Sequence, residues 1–213
     1  MKKIQKINPE DCTVLLIDHQ SGLFQVVKDV PVTELRTNAI ALAKIAALYN
    51  MPVITTASEP WGPNGPLMPE IHEVAPHAEY IARDGEINAW DREAFAEAVR
   101  NTGKKQLIIA GVITSVCVAF PTFSALSEGY EVFAVFDASG DPSSYSSQIT
   151  LARIAQAGGI PMTTAAVLSE IQHTWRKPNA NDFGKILAST MPHYIALIES
   201  FERAFDEGKK ADQ

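Results

Sequence analysis

The sequence predicts an α/β fold in three layers, with helices on both faces of a doubly wound, mainly parallel sheet, in a single domain spanning residues 1–213. Three observations carry this expectation. Apolar runs rich in Val, Ile and Leu recur without polar alternation, the pattern of strands covered on both faces. Amphipathic stretches of helical period lie between them, so strand and helix alternate. The length of 213 residues suits one substantial hydrophobic core.

The elements follow in chain order. TVLLID (13–18) is the first strand. TELRTNAIALAKIAALYN (33–50) is a helix with Thr33 as its N-cap and Leu35, Ile40, Leu42, Ile45 and Leu48 on its apolar stripe. MPVITTA (51–57) is the second strand. The stretch 58–80 is crowded with proline and glycine and reads as one long loop, a length that in a compact domain is usually functional or covers something. DREAFAEAVRNTG (91–103) is a helix closed by Gly103. KQLIIAGV (105–112) is a strand, a helix runs from about Cys117 to Gly129, and EVFAVFDA (131–138) is a strand. A helix over 145–157, a strand within GGIPMTTAAV (158–167) and a C-terminal helix over 194–208 complete the reading.

Composition excludes several function classes. The 25 acidic and 18 basic residues give a formal charge of -7, and no Lys/Arg cluster interleaved with aromatics follows a phosphate backbone, so nucleic acid is not expected as a partner. No segment reaches the roughly 20 apolar residues of a membrane span, and MKKIQKINPEDC lacks the apolar core of a signal peptide. The expected compartment is the cytosol, where the two cysteines, Cys12 and Cys117, stay thiols. No glycine-rich phosphate loop or dinucleotide fingerprint is present, so no cofactor is expected.

Three residues stand where such folds build their sites, beyond the carboxyl ends of strands. Asp18 ends an apolar strand and fits either a cap of the next turn or a general base. Cys117 follows a strand at the start of a helix, whose free N–H groups and dipole lower a thiol's pKa; among Val116, Val118 and Phe120 it also fits a small core residue. Arg83, before Gly85, reads alone as an ordinary surface arginine. Cys12 reads as core.

Taken together, LLIDHQSGLF, TTASEPWGPNGPLMPE, YIARDGEINAWD, IIAGVITSVCVAFPTFSALSEGYEVFAVFDASG and HTWR resemble the YcaC-like branch of the isochorismatase-like cysteine hydrolases, over nearly the whole chain. The resemblance implies a catalytic triad of Asp18, Arg83 and Cys117. Much of the superfamily has Lys where this chain has Arg83, and an arginine holds charge without relaying protons. It further implies a non-proline cis peptide at Val112–Ile113, an oxyanion hole of the Ile113 and Cys117 N–H groups, and a homo-oligomer, an octamer of two stacked tetrameric rings. Related nicotinamidases place an Asp-x-His metal pair after the second strand. This chain has TTASEPWG there, so no metal site is expected, and His19, His173 and His193 read as surface or core-edge residues.

Gln20, Glu59, Asn88, Trp90 and Phe120 lie beside these motifs and are candidates for lining a substrate pocket. Trp61 fits either closure of the site or packing on a neighbour, and Trp175 fits core or interface. Asp84 departs from the family pattern, where Pro is usual, and a carboxylate there could pair with Arg83 and weaken its pull on Cys117. Three functions follow: a hydrolase of a small amide or related acyl compound working through a thioester; an isochorismatase-like vinyl-ether hydrolase; and a non-catalytic or thiol-responsive assembly protein. Asp84 keeps the last in play.

Overall fold

The computed structural model describes residues 5–211, so the first residues of MKKIQ and the last two of the chain lie outside the described part. Six parallel strands form one sheet: β1 (Cys12–Ile17), β2 (Val53–Ala57), β3 (Glu79–Ala82), β4 (Gln106–Gly111), β5 (Glu131–Val135) and β6 (Ile160–Met162). Their spatial order is β3-β2-β1-β4-β5-β6. The chain winds outward from β1 to β3, then returns to the other side of β1 and winds outward again. The reversal leaves a crevice at the carboxyl ends of β1 and β4.

Alternation along each strand divides the core into two layers. Val14 and Leu16 of β1 join Ile108, Ala110, Phe133 and Val135 beneath α1 (Val32–Leu48), α6 (Thr164–Gln172) and α7 (Ala180–Thr190). Leu15 and Ile17 join Leu107, Ile109, Val132 and Ala134 on the opposite face, against α3 (Glu93–Asn101), α4 (Ala119–Ser127) and Ile154 of α5 (Ser144–Ala157). The period of two in the strands thus supplies both faces from one continuous apolar run. A last helix, α8 (Pro192–Ala211), packs on α7 and leaves Leu197, Phe201 and Phe205 exposed.

Several boundaries differ from the sequence reading. Helix α1 begins one residue before Thr33, with Pro31 as the cap; proline's fixed φ suits a helix entrance without a side-chain bond. The stretch 58–80 is not one loop, since α2 (Glu70–Val74) interrupts it and β3 starts within it. The strand placed in 158–167 shrinks to Ile160–Met162, and helix α6 takes over at Thr164, whose N–H and hydroxyl both bond Asp137 Oδ1 at 2.7 Å. Helices α6 and α7 were not anticipated. Cys117 lies within a π-helical turn, Thr114–Val118, that precedes α4.

At the crevice β1 and β4 approach so closely that Gly111 tolerates no side chain: a Cβ there would sit 2.5 Å from the Ile17 carbonyl oxygen. Gly111→Ala should therefore push apart the strand ends that carry the site. The expected cost is about 1–3 kcal/mol, read as a lower urea midpoint at unchanged m-value; an unchanged midpoint would show that the strand ends yield freely.

Candidate functional site

Three strand ends converge on one point. Asp18 follows β1, Arg83 follows β3, and Cys117 lies one turn beyond β4. Asp18 is fully buried and holds a left-handed φ of 58°, a conformation that costs a non-glycine residue about 1 kcal/mol or more and that clusters at functional positions. Its N–H donates to the Thr56 carbonyl at 3.0 Å and its carbonyl accepts the Gln20 N–H at 2.8 Å, so backbone bonds hold the turn.

Asp18 Oδ1 accepts a hydrogen bond from Arg83 Nη2, and both side chains are shielded from water. The other terminal nitrogen of the guanidinium is held by the loop that follows: Nη1 donates to the carbonyls of Glu86 (2.9 Å) and Ile87 (3.2 Å). Gly85, at φ 118°, makes that wrap possible. Asp84 turns away and pairs with Arg92, which corrects the expectation that it competes for Arg83. An exposed carboxylate and a half-exposed arginine meet there without the desolvation that pairing inside the site would cost.

Among the described residues Asp18 Oδ2 has no well-formed hydrogen bond. The group beside it that can supply one is the Cys117 thiol, whose titration Asp18 perturbs, as Cys117 perturbs that of Asp18. Burial is the largest influence on both. It pushes the Asp18 carboxyl above its usual range against the pull of Arg83, and it pushes the Cys117 thiol well above the ordinary thiol value, with the Asp18 charge adding to the effect. The expectation of a thiol acidified by its helix is thereby reversed: desolvation and a neighbouring carboxylate outweigh the dipole and Arg83. Cys12 is buried in the core, as expected, and its thiol is likewise pushed up by burial.

The Val112–Ile113 peptide is cis. The Ile113 N–H has no acceptor among the described residues, but the Cys117 N–H donates to the Ile113 carbonyl at 2.7 Å. Of the two oxyanion donors expected, only Ile113 is free in this structure, because the turn closes back on itself.

The remaining candidates separate clearly. Gln20 is fully buried and its amide is spent on bracing the 58–65 loop: Nε2 donates to Ser58 and Gly65 carbonyls at 2.9 and 2.5 Å, and Oε1 accepts the Ser58 N–H at 2.9 Å. Asn88 caps the turn Ala89–Asp91 and bonds Asp91 and Ser124. Trp90 donates to Glu128 Oε1 at 2.7 Å and packs edge-on against Phe95 and Tyr130. All three are held by hydrogen bonds within the protein. Phe120 is half-buried against the second core layer. Glu59 does line a cavity of about 570 Å³, with Trp61, Leu67, Tyr80, Arg83 and Asp84 among its neighbours. Trp61 is 99% exposed, and Trp175 stacks on Tyr194 and meets Phe183 edge-on.

His19, expected near the surface, is fully buried with Nε2 2.9 Å from the Ala138 carbonyl oxygen, while His173 and His193 are exposed. Burial lowers the His19 pKa to about 4. The unfolded chain therefore takes up a proton below about pH 6.5 that the folded protein refuses, so stability is full above that value and falls as pH drops towards 4, by about 3 kcal/mol at the end of the window. Urea unfolding at pH 7.5 and 4.5 should show the parent losing about 2–3 kcal/mol more than His19→Asn; equal losses would mean that His19 is not held neutral.

The isochorismatase domain family model matches residues 12–166. "Probable hydrolase YcaC" of Escherichia coli is 43% identical over 201 residues, covering 94% of this chain and 96% of that protein. The solved structure of E. coli YcaC superposes with a TM-score of 0.92 at 44% identity, over 96% of this chain and all of that one. YcaC from Pseudomonas aeruginosa gives 0.91 at 48%, over 95% of this chain and all of that one. The chain belongs to the isochorismatase family.

Proposed function

We propose that this chain is a cysteine-dependent hydrolase of a small amide or related acyl compound, working through a thioester. The observation that carries the reading is the convergence at three strand ends of a buried carboxylate, the arginine that neutralises it and a thiol. Two related proteins lend support. E. coli YcaC is described as an octameric hydrolase of unknown specificity, and the P. aeruginosa YcaC structure holds covalent acrylamide, an electrophile of the kind thiolates attack.

The chemistry follows from the two raised pKa values. At rest the Cys117 thiol keeps its proton, and Asp18, buried beside it, is a stronger base than an exposed carboxylate and so better suited to take that proton. When a carbonyl carbon enters, sulfur attacks it, the thiol proton passes to Asp18, and the carbonyl oxygen becomes an oxyanion facing the Ile113 N–H. Protonated Asp18 gives the proton to the leaving nitrogen as the C–N bond breaks, leaving a thioester. Water then loses a proton to Asp18 as it attacks the thioester, and the acid departs as sulfur regains that proton. Arg83 holds the charge of Asp18 throughout. No metal or cofactor enters this scheme. The outward turn of Asp84 removes the feature that favoured a non-catalytic protein.

By the same likeness we propose an octamer of two stacked tetrameric rings, in which Trp61 is covered by a neighbouring copy. We place the protein in the cytosol. Among the described residues no helix is long and apolar enough to cross a membrane.

Three outcomes test these readings. Screened against small amides and acyl esters, Cys117→Ala should abolish every hydrolysis the parent performs, and Asp18→Asn should lower it about 10²–10⁴-fold; turnover retained by Cys117→Ala would sink the covalent route and favour the vinyl-ether one. Iodoacetamide should alkylate the parent's Cys117 slowly at neutral pH, with a midpoint above the free-thiol value of about 8.5, and Asp18→Asn should move that midpoint down. A normal profile in both proteins would deny the pairing. Light scattering should find eight chains per particle, and a smaller particle would reject the octamer.

A further inference from the structure

Between β5 and α5 the residues Ser139, Gly140 and Asp141 run beside the segment that leads from β4 to Cys117. Ser139 Oγ accepts the Gly111 N–H at 3.1 Å. Val112 pairs with Gly140 in a parallel bridge, and the Gly140 carbonyl accepts the Thr114 N–H at 2.9 Å. Asp141 Oδ1 then takes both the hydroxyl (2.7 Å) and the N–H (3.3 Å) of Ser115.

Asp141 is anchored from behind. Its N–H donates to Asp29 Oδ1 at 2.7 Å and its carbonyl accepts the Lys28 N–H at 2.9 Å. Gly140 cannot move outward, since a side chain there would meet Val27 and Leu35 at under 3 Å. Asp141 is fully buried, and among the described residues its Oδ2 has no well-formed hydrogen bond. A carboxylate is a costly choice for capping a turn in such a place when a serine or asparagine makes the same bond more cheaply. The turn it holds needs support of its own, because a π-helical turn lacks the regular i→i+4 ladder, and Ala119 N–H reaches back to the Thr114 carbonyl instead.

We propose that Asp141 is a positioning residue for the reaction at Cys117. By gripping Ser115 it sets the turn so that the thiol meets Asp18 and the Ile113 N–H stays clear of other acceptors. The inference rests on the reading of Cys117 as nucleophile and Asp18 as its base.

The test is a double-mutant cycle in the full-length protein, read by the rate at which iodoacetamide alkylates Cys117 at neutral pH, with urea unfolding run on every variant. In the parent, Asp18→Asn should speed alkylation. In Asp141→Ala that response should shrink about fivefold or more, a coupling typical of side chains in one network. Asp141→Asn, which keeps an acceptor for Ser115, should restore the parent's response. Ser115→Ala removes only the hydroxyl end of the contact and should reproduce much of the loss, so the test survives if Asp141→Ala does not fold. If Asp141→Ala or Ser115→Ala lowers stability while the response to Asp18→Asn stays at its parental size, Asp141 is merely structural and the proposal fails. If Asp18→Asn changes nothing in the parent, the nucleophile reading falls and this inference falls with it.

Discussion

Burying a carboxylate and a guanidinium together demands that every face of the pair be supplied with partners, because water is no longer there to do it. Asp18 and Arg83 meet much of this demand with backbone: carbonyls of Glu86 and Ile87 take the second arginine nitrogen, and the Thr56 carbonyl pins the Asp18 backbone. Once the pair is in place its surroundings are constrained. The 84–88 loop must curl around Arg83, β1 must end in a left-handed turn, and a thiol that shares this dry space with a carboxylate is held in its neutral form.

The sheet order makes such a meeting possible. Asp18 and Cys117 face one another because the winding reverses between β1 and β4, and Arg83, about 65 residues on from Asp18 in sequence, reaches it from β3 across the end of β2. Gly111 lets β1 and β4 close without a side chain between them. Strand ends give rigid mounts, and the loops that follow carry the chemistry. In keeping with this division, Gln20, Asn88 and Trp90 hydrogen-bond to loops and helix ends of the protein.

Much of this was legible in the sequence. The apolar runs of β1, β2, β4 and β5 marked themselves, because strands buried on both faces are dominated by apolar residues, and Asp18 stood out as the charged residue that ends one. Helices α6 and α7 did not, since their buried positions are interleaved with small and polar residues; the same is true of β3, whose side chains are largely exposed. Arg83 was invisible except through family likeness, because an arginine's burial depends on a partner brought from far away. The direction of the Cys117 shift could not be read either. A helix terminus is local and visible in sequence, whereas desolvation and the Asp18 charge are tertiary. Asp141 escaped notice for the same reason, its role depending on a contact across 26 residues.

The placement of β3 carries a consequence for how the site behaves in time. It is one of the two edge strands, four residues long and paired on one side only, and edge strands open more readily than the sheet's centre. Asp18 and Cys117 are tied to central strands and Arg83 to this border. Brief detachment of the border would withdraw the cation while the sheet stays folded, leaving a buried carboxylate that favours taking up a proton. The fraction of molecules with an intact site at any moment is then governed by local fraying at one margin, and two variants of equal overall stability can differ in it.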